Sequence, residues 1–460
     1  MIFTSYEYAA FLALVFVLYW TIRIRRVQNL LLLGGSYLFY GWIHPWFCIL
    51  IATSTIVDYA CGLQMGRRPE QKKRWLVLSL VVNLGMLGVF KYFNFFADNV
   101  VAVLGQVGLD LGPVTTRILL PVGISFYTFQ TLSYTIDIYY GKLEPRERFL
   151  DFAVFVAFFP QLVAGPIERA RRFLPQVERA RQWSQERFMQ ALPLLIVGFM
   201  KKLVVADNVA VVVDRVFMLQ SPSFALLALG TLAFAVQIYA DFSAYTDIAR
   251  GSAKLIGFEL IENFDSPYVA ISPSDFWRRW HISFSTWIRD YLYIPLGGSR
   301  VKTQLGMLGV LLASMGLSGL WHGAAWNFVA WGIYHALLLF AWRWLGLGGR
   351  WKPSTAWSKA AAWSSMFCFT LIGWAIFRAS SLSWLVGTFD GMSLLGNEEA
   401  QIASLYSGIT VAFFSAALLL PWPLHRKSAR PLPALSLGVS LLAIVIFARE
   451  SSQDFIYFQF

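Results

Sequence analysis

Residues 304–342 read QLGMLGVLLASMGLSGLWHGAAWNFVAWGIYHALLLFAW. Two apolar runs, 304–321 and 326–342, flank the short segment His322, Gly323, Ala324 and Ala325. A helix needs about 20 apolar residues to cross a bilayer, fewer when flanking side chains snorkel. Each run therefore has the character of a transmembrane helix. Similar runs recur at 6–22, 29–43, 47–64, 75–96, 118–138, 188–217, 224–249, 357–377, 405–422 and 432–448. Together they predict an all-α polytopic membrane protein of about twelve spans. The runs continue for 15 residues or more instead of alternating over about ten, which argues against a transmembrane barrel.

Composition agrees. Of 460 residues, 57% are hydrophobic and only 14% charged, against roughly 25% charged in a soluble protein. That excludes soluble enzyme folds, disorder and collagen-like repeats. Aromatics reach 17%, as expected of rings at bilayer interfaces and around a buried cavity. The net charge of +12 does not point to nucleic acid, because the Lys and Arg residues gather in short loops between apolar runs. Cys48, Cys61 and Cys368 lie scattered in apolar stretches, forming neither a disulfide framework nor a metal cluster.

The first positive charges, Arg23, Arg25 and Arg26, follow the first run. This order predicts an uncleaved start with the N-terminus outside. Parity then puts the basic loops 67–74, 169–181, 250–302, 343–352 and 426–430 in the cytoplasm. Residues 149–165 break the count, having Lys142, Arg146 and Arg148 before them and Arg169, Arg171 and Arg172 after. Pro160 and Gly165-Pro166 interrupt the helical pattern. A re-entrant segment shielded by other helices satisfies both features; a true span breaking the charge rule is the alternative. Without internal repeats or low-complexity linkers, 1–460 reads as a single domain.

Ionisable residues inside a bilayer are costly and are kept for function or for pairing. His322 is the clearest case, with small residues beside it that allow close approach. An imidazole can accept and return a proton near neutral pH; a helix–helix hydrogen bond is the plainer role. His335 sits mid-helix without such a gap, which favours a structural role.

Over 275–291, read as one helix, Trp277, Trp280, Phe284, Trp287 and Tyr291 fall within an arc of about 80°. Arg278, Arg279, Thr286 and Arg289 face the other side, and His281 lies at the boundary. Such a helix rests in the interface, either as an anchor or presenting arginines to a phosphate-bearing ligand. Gln237, Asp241 and Tyr245 make an i, i+4, i+8 ladder that lines a cavity or bonds a neighbouring helix. Lys201, Lys202, Asp207 and Asn208 suggest internal ion pairing. No His-Glu-x-x-His, P-loop or Gly-x-Ser-x-Gly pattern occurs, and Gly-Leu-Gly-Gly at 346–349 lacks a dinucleotide-site context.

Several runs, in order and along nearly the whole length, carry a family resemblance. They are Leu120-Pro121-Val122-Gly123-Ile124-Ser125-Phe126-Tyr127, Phe159-Pro160-Gln161-Leu162-Val163-Ala164-Gly165-Pro166, Asp241-Phe242-Ser243 and Glu262-Asn263-Phe264. The stretch 276–298, Leu320-Trp321-His322-Gly323 and Phe455-Ile456-Tyr457-Phe458 complete the set. The chain resembles the membrane-bound O-acyltransferase family (MBOAT), and within it the AlgI-like group of alginate O-acetyltransferases.

The resemblance implies an MBOAT-type multi-helix bundle around a tunnel, in the bacterial inner membrane. It implies acetyl-CoA as a donor substrate from the cytoplasm, with no permanently bound cofactor or metal. It casts His322 as the central catalytic histidine and His281 as a second one nearer the cytoplasm. Donor- or cavity-lining roles for Arg278, Arg279, Arg289, Trp321, Asp241, Asn263 and Tyr245 are inferred around these two. The acceptor would be an exopolysaccharide hydroxyl such as alginate, or a periplasmic SGNH-hydrolase-like partner that finishes the transfer. Two rivals stand beside this reading: a DltB-like D-alanyl transferase fed by a carrier protein, and a proton-coupled transporter or flippase. Transporters often show paired broken helices in two related halves, and no such symmetry is evident here.

Overall fold

Long apolar runs become helices in lipid because only a helix satisfies every backbone N–H and C=O within the segment. The computed structural model describes residues 1–109, 112, 117–163, 165–347, 353–419, 434–449, 453 and 455–458. All regular structure among the described residues is helical. Six helices are long and apolar enough to cross a membrane: Phe47–Arg67, Pro69–Gln106, Phe224–Leu255, Gln304–His322, Ala356–Arg378 and Glu398–Leu419. Tyr6–Thr21 and Ala434–Phe447 are shorter apolar helices. The other expected runs are helical as well, at Arg25–Gly41, Ile124–Tyr139, Gln185–Met200, Asp207–Phe217 and Trp326–Trp344. The total of about twelve spans is therefore not reached by length and composition alone. The loop 426–430 and the start of the run 432–448 lie outside the described residues, as do Gly348 and Gly349.

The described residues gather into two compact units, Met1–Phe188 with Ser252–Ile261, and Met189–Gly251 with Glu262–Phe460. In the first, Phe47–Arg67, Lys72–Leu87 and Ile124–Tyr139 pack together around a polar knot. Asn83 Nδ2 donates to both carboxyl oxygens of Asp58 at 3.0 Å, and Ser79 Oγ donates to Oδ1 at 2.6 Å. Ser54 Oγ donates to Asn83 Oδ1 at 2.7 Å. Such bonds join membrane helices because lipid offers polar groups no other partner.

The anomalous segment 149–165 forms two short helices, Phe149–Ala157 and Phe159–Leu162. Nine residues rise about 14 Å, well short of the roughly 30 Å hydrocarbon core. Residues 152–162 are buried throughout, the shielding that a re-entrant segment requires. Its acidic residue, Asp151, is held by Asn29 Nδ2 at 2.8 Å and Arg25 Nη1 at 3.1 Å.

In the second unit, Gln304–His322 folds back against Trp326–Trp344. Their approach depends on two glycines. A Cβ at Gly319 would collide with the Phe328 carbonyl oxygen, and one at Gly332 with that of Met315. The stretch expected as one amphipathic helix over 275–291 is instead Pro273–Arg279, Ile282–Ile288 and a π-turn, Arg289–Tyr293. The break falls at His281, whose backbone is left-handed with φ 41°. Of the expected apolar face, Trp280, Phe284 and Trp287 are buried, while Trp277 and Tyr291 are half-buried. Phe276 is buried as well, whereas the Arg278 and Arg289 side chains are 73% and 58% exposed.

Overpacking a tight contact typically costs about 1–3 kcal/mol, so Gly332→Ala should lower thermal stability by that order. Gly309→Ala on the same hairpin, where a Cβ meets nothing within 4 Å, should be neutral or mildly stabilising. Thermal unfolding of both purified variants in detergent tests the contrast.

Candidate functional site

His322 is the last residue of its helix and is buried. Aromatic rings surround it: Trp321 at 4.9 Å, Trp331 at 5.0 Å, Phe284 at 5.3 Å, Tyr457 at 5.5 Å and Phe377 at 5.6 Å between centroids. His281 approaches from the break between its two helices, 6.4 Å from the His322 ring. It packs edge-on against Phe242 at 4.6 Å and stacks with Phe284 at 5.0 Å. The two histidines, 41 residues apart in sequence, thus share one enclosure. Burial alone pushes the His281 imidazole down to about 3, because an apolar surround disfavours its charged form.

A cavity of about 420 Å³ lies beside this pair, lined by Arg278, Arg289, Arg343, Ser314, Ser318 and Phe284, among others. Its character changes along its length. The three arginines lie on the exposed side, while Ser314 and Ser318 are buried. Ser318 precedes His322 by four residues on one helix, so the cavity lining reaches to one turn short of the histidine. Neither His281 nor His322 is part of the cavity lining.

The remaining candidates have other positions. Trp321 is not part of the cavity lining and stacks at 4.2 Å on Phe284, which is. Arg279 is tied to Asp275 at 3.0 Å and to the Asp265 carbonyl at 3.1 Å, so it braces the loop and does not line the cavity. Asn263 likewise lies outside the cavity lining and bonds the turn at His281. Asp241 Oδ1 pairs with Lys202 at 3.0 Å, and Oδ2 accepts the Ile456 N–H at 2.7 Å. Tyr245 stacks on Phe455 at 4.1 Å. Asp241 and Tyr245 of the polar ladder therefore secure the C-terminal segment that brings Tyr457 to His322. His335 packs on Trp331 at 4.8 Å and Phe276 at 6.1 Å, a place in the aromatic core.

The expected internal ion pairing is present. Lys201 and Lys202, both buried, open a π-turn, Lys201–Ala206. Lys201 meets Asp247 at 2.7 Å, and Lys202 lies between Asp207 at 2.9 Å and Asp241 at 3.0 Å. Sequence reading missed Ser314, Ser318 and Arg343. The spacing Ser314, Ser318, His322 (i, i+4, i+8) could have revealed the two serines. Trp331 and Phe377 carried no signal distinguishing them from ordinary apolar helix residues.

The membrane-bound O-acyltransferase family pattern matches residues 146–382. The probable alginate O-acetylase AlgI of Pseudomonas putida is 36% identical over 100% of both chains. The peptidoglycan O-acetyltransferase of Helicobacter pylori is 35% identical, covering 79% of this chain and 73% of its own length. The teichoic acid D-alanyltransferase of Bacillus subtilis is 28% identical, over 56% of this chain and 68% of its own. This chain belongs to the membrane-bound O-acyltransferase family and is a polytopic membrane O-acyltransferase.

Breaking a buried ion pair from one side typically costs about 3–5 kcal/mol. Lys202→Met should destabilise by that order, and adding Asp241→Asn should recover part of the loss, as read by thermal unfolding. A second expectation concerns pH. His281 has its proton affinity depressed in the folded state, so the unfolded chain binds the extra proton first as pH falls. Its contribution is complete above the ordinary value near 6.5 and is lost progressively as pH falls toward 3, by at most about 1.4 kcal/mol per pH unit. Acidifying from pH 7 to 5 should lower the melting temperature of the wild type more than that of His281→Gln.

Proposed function

We propose that this protein transfers acetyl from cytoplasmic acetyl-CoA toward a hydroxyl acceptor outside the membrane. The observation that supports this best is the cavity whose exposed end bears Arg278, Arg289 and Arg343 and whose buried end reaches toward His322. Guanidiniums match phosphate oxygens in charge and fork geometry, so the arginine end suits the nucleotide of a coenzyme A thioester. The apolar remainder, with the Ser314 and Ser318 hydroxyls, suits a pantetheine arm. The relatives named alginate O-acetylase and peptidoglycan O-acetyltransferase favour acetyl as the group moved and a cell-envelope polysaccharide as its destination.

In this reading His322 removes the acceptor's hydroxyl proton while the oxygen attacks the thioester carbonyl. A C–O bond forms, the C–S bond breaks, and the departing thiolate takes the proton back from the imidazolium. Neutral His281 offers an N–H to the oxyanion that develops between these steps. The protein works in the bacterial inner membrane, with lipid around it, and hands acetyl to a periplasmic SGNH-hydrolase-like partner that completes transfer to an exopolysaccharide such as alginate.

General-base assistance contributes roughly 10²–10⁴-fold. His322→Ala should lose acetyl transfer by that factor while keeping its melting temperature, measured by thiol release from acetyl-CoA with purified protein and acceptor. Full activity in a folded His322→Ala variant overturns the assignment. Binding of a D-alanyl-loaded carrier protein in place of acetyl-CoA would redirect the reading to D-alanyl transfer, and proton-coupled flux without acyl transfer would redirect it to transport.

A further inference from the structure

We infer that Asn263 is a positioning residue for His281, holding the strained turn that carries this imidazole to the side of His322. The inference rests on the reading of these two histidines as the reacting pair. Asn263 is fully buried. Its backbone carbonyl accepts the Ile282 N–H at 2.9 Å, and its side-chain Oδ1 accepts the Ser283 N–H at 3.2 Å. These are the two N–H groups that follow His281, at the start of Ile282–Ile288, where a helix has no partners of its own to give them. The Asp265 N–H donates to the Arg279 carbonyl at 3.0 Å, so residues 263–265 clamp both sides of the turn.

The clamp matters because His281 cannot hold itself. Its backbone occupies the left-handed region, with φ 41° and ψ 55°, which a branched or bulky residue adopts only when its surroundings enforce it. Among the described residues, neither ring nitrogen has a hydrogen-bond partner. The ring is aimed by packing and by the backbone alone. A relaxed turn would return residues 275–291 toward one continuous helix and carry the imidazole away from His322. Asn263 Nδ2 donates to Thr246 Oγ1 at 3.4 Å, which orients the amide so that Oδ1 faces the turn. An amide does both tasks, whereas alanine does neither.

A misplacement of about 1 Å at a reacting group can cost up to about 10²-fold. Asn263→Ala should lower kcat by roughly 10- to 100-fold with KM for acetyl-CoA nearly unchanged, and Asn263→Asp, which keeps the acceptor oxygen, should restore most of it. In a His281→Ala background, Asn263→Ala should have no further effect, since both changes act on one group. Thr246→Val should give a smaller loss, also absent in that background, and serves if Asn263→Ala does not fold. Multiplying effects in the double variant, or a rise in KM alone, overturn the inference. Histidine-selective ¹⁵N NMR gives a readout independent of turnover. The His281 signal, assigned by His281→Gln, should shift in Asn263→Ala or Thr246→Val while His335 stays in place, and an unmoved His281 signal overturns the inference. A wild type inactive on acetyl-CoA defeats the donor reading instead and leaves the spectrum to decide the role of Asn263.

Discussion

Lys202 lies between Asp207 and Asp241 at 2.9 and 3.0 Å, all three side chains nearly inaccessible to water. Charges taken out of water must be paired at close range or neutralised, and this requirement organises the second unit. Both lysines stand at the start of the π-turn Lys201–Ala206, and each is buried against a carboxylate. The requirement also fixes the C-terminal segment, because Asp241 has one oxygen on Lys202 and the other on the Ile456 N–H. Through that bond, and through Tyr245 stacked on Phe455, the far end of the chain comes to lie against His322.

The histidine pair sits in the opposite kind of environment. Rings surround His322 and His281 on every side described, and the cations stay at the exposed end of the cavity. A neutral imidazole in a water-poor enclosure keeps a lone pair for proton transfer, and any oxyanion formed nearby is poorly screened, so fixed donors act on it strongly. Water exclusion also protects a thioester from hydrolysis. The guanidiniums stand at the exposed side of the cavity, whereas His281 and His322 lie beyond its lining.

Much of this was legible beforehand. Runs such as 304–321 and 357–377 announced helices because hydropathy over that length has one structural solution in lipid. His322 stood out as an ionisable group in an apolar context, and Pro160 marked the segment that breaks into two short helices. Other features were hidden by their nature. The break at His281 is invisible to a periodicity argument, since the aromatic and cationic positions of 275–291 satisfy one uninterrupted helix equally well. Asp241 and Asn263 read as cavity residues because a polar side chain in an apolar run does not reveal whether a ligand or the protein's own backbone receives it.

The sequence by itself determined the all-helical membrane architecture, the family, and the two histidines that stand out, because hydrophobic length, charge placement and ordered motifs are local properties. Only tertiary structure decided that His281 and His322 lie side by side, that Asn263 clamps the turn carrying His281, and that Tyr457 packs against His322. Those outcomes depend on contacts across many tens to hundreds of residues. Whether a buried polar group finds a partner there is settled by packing, which no local pattern encodes.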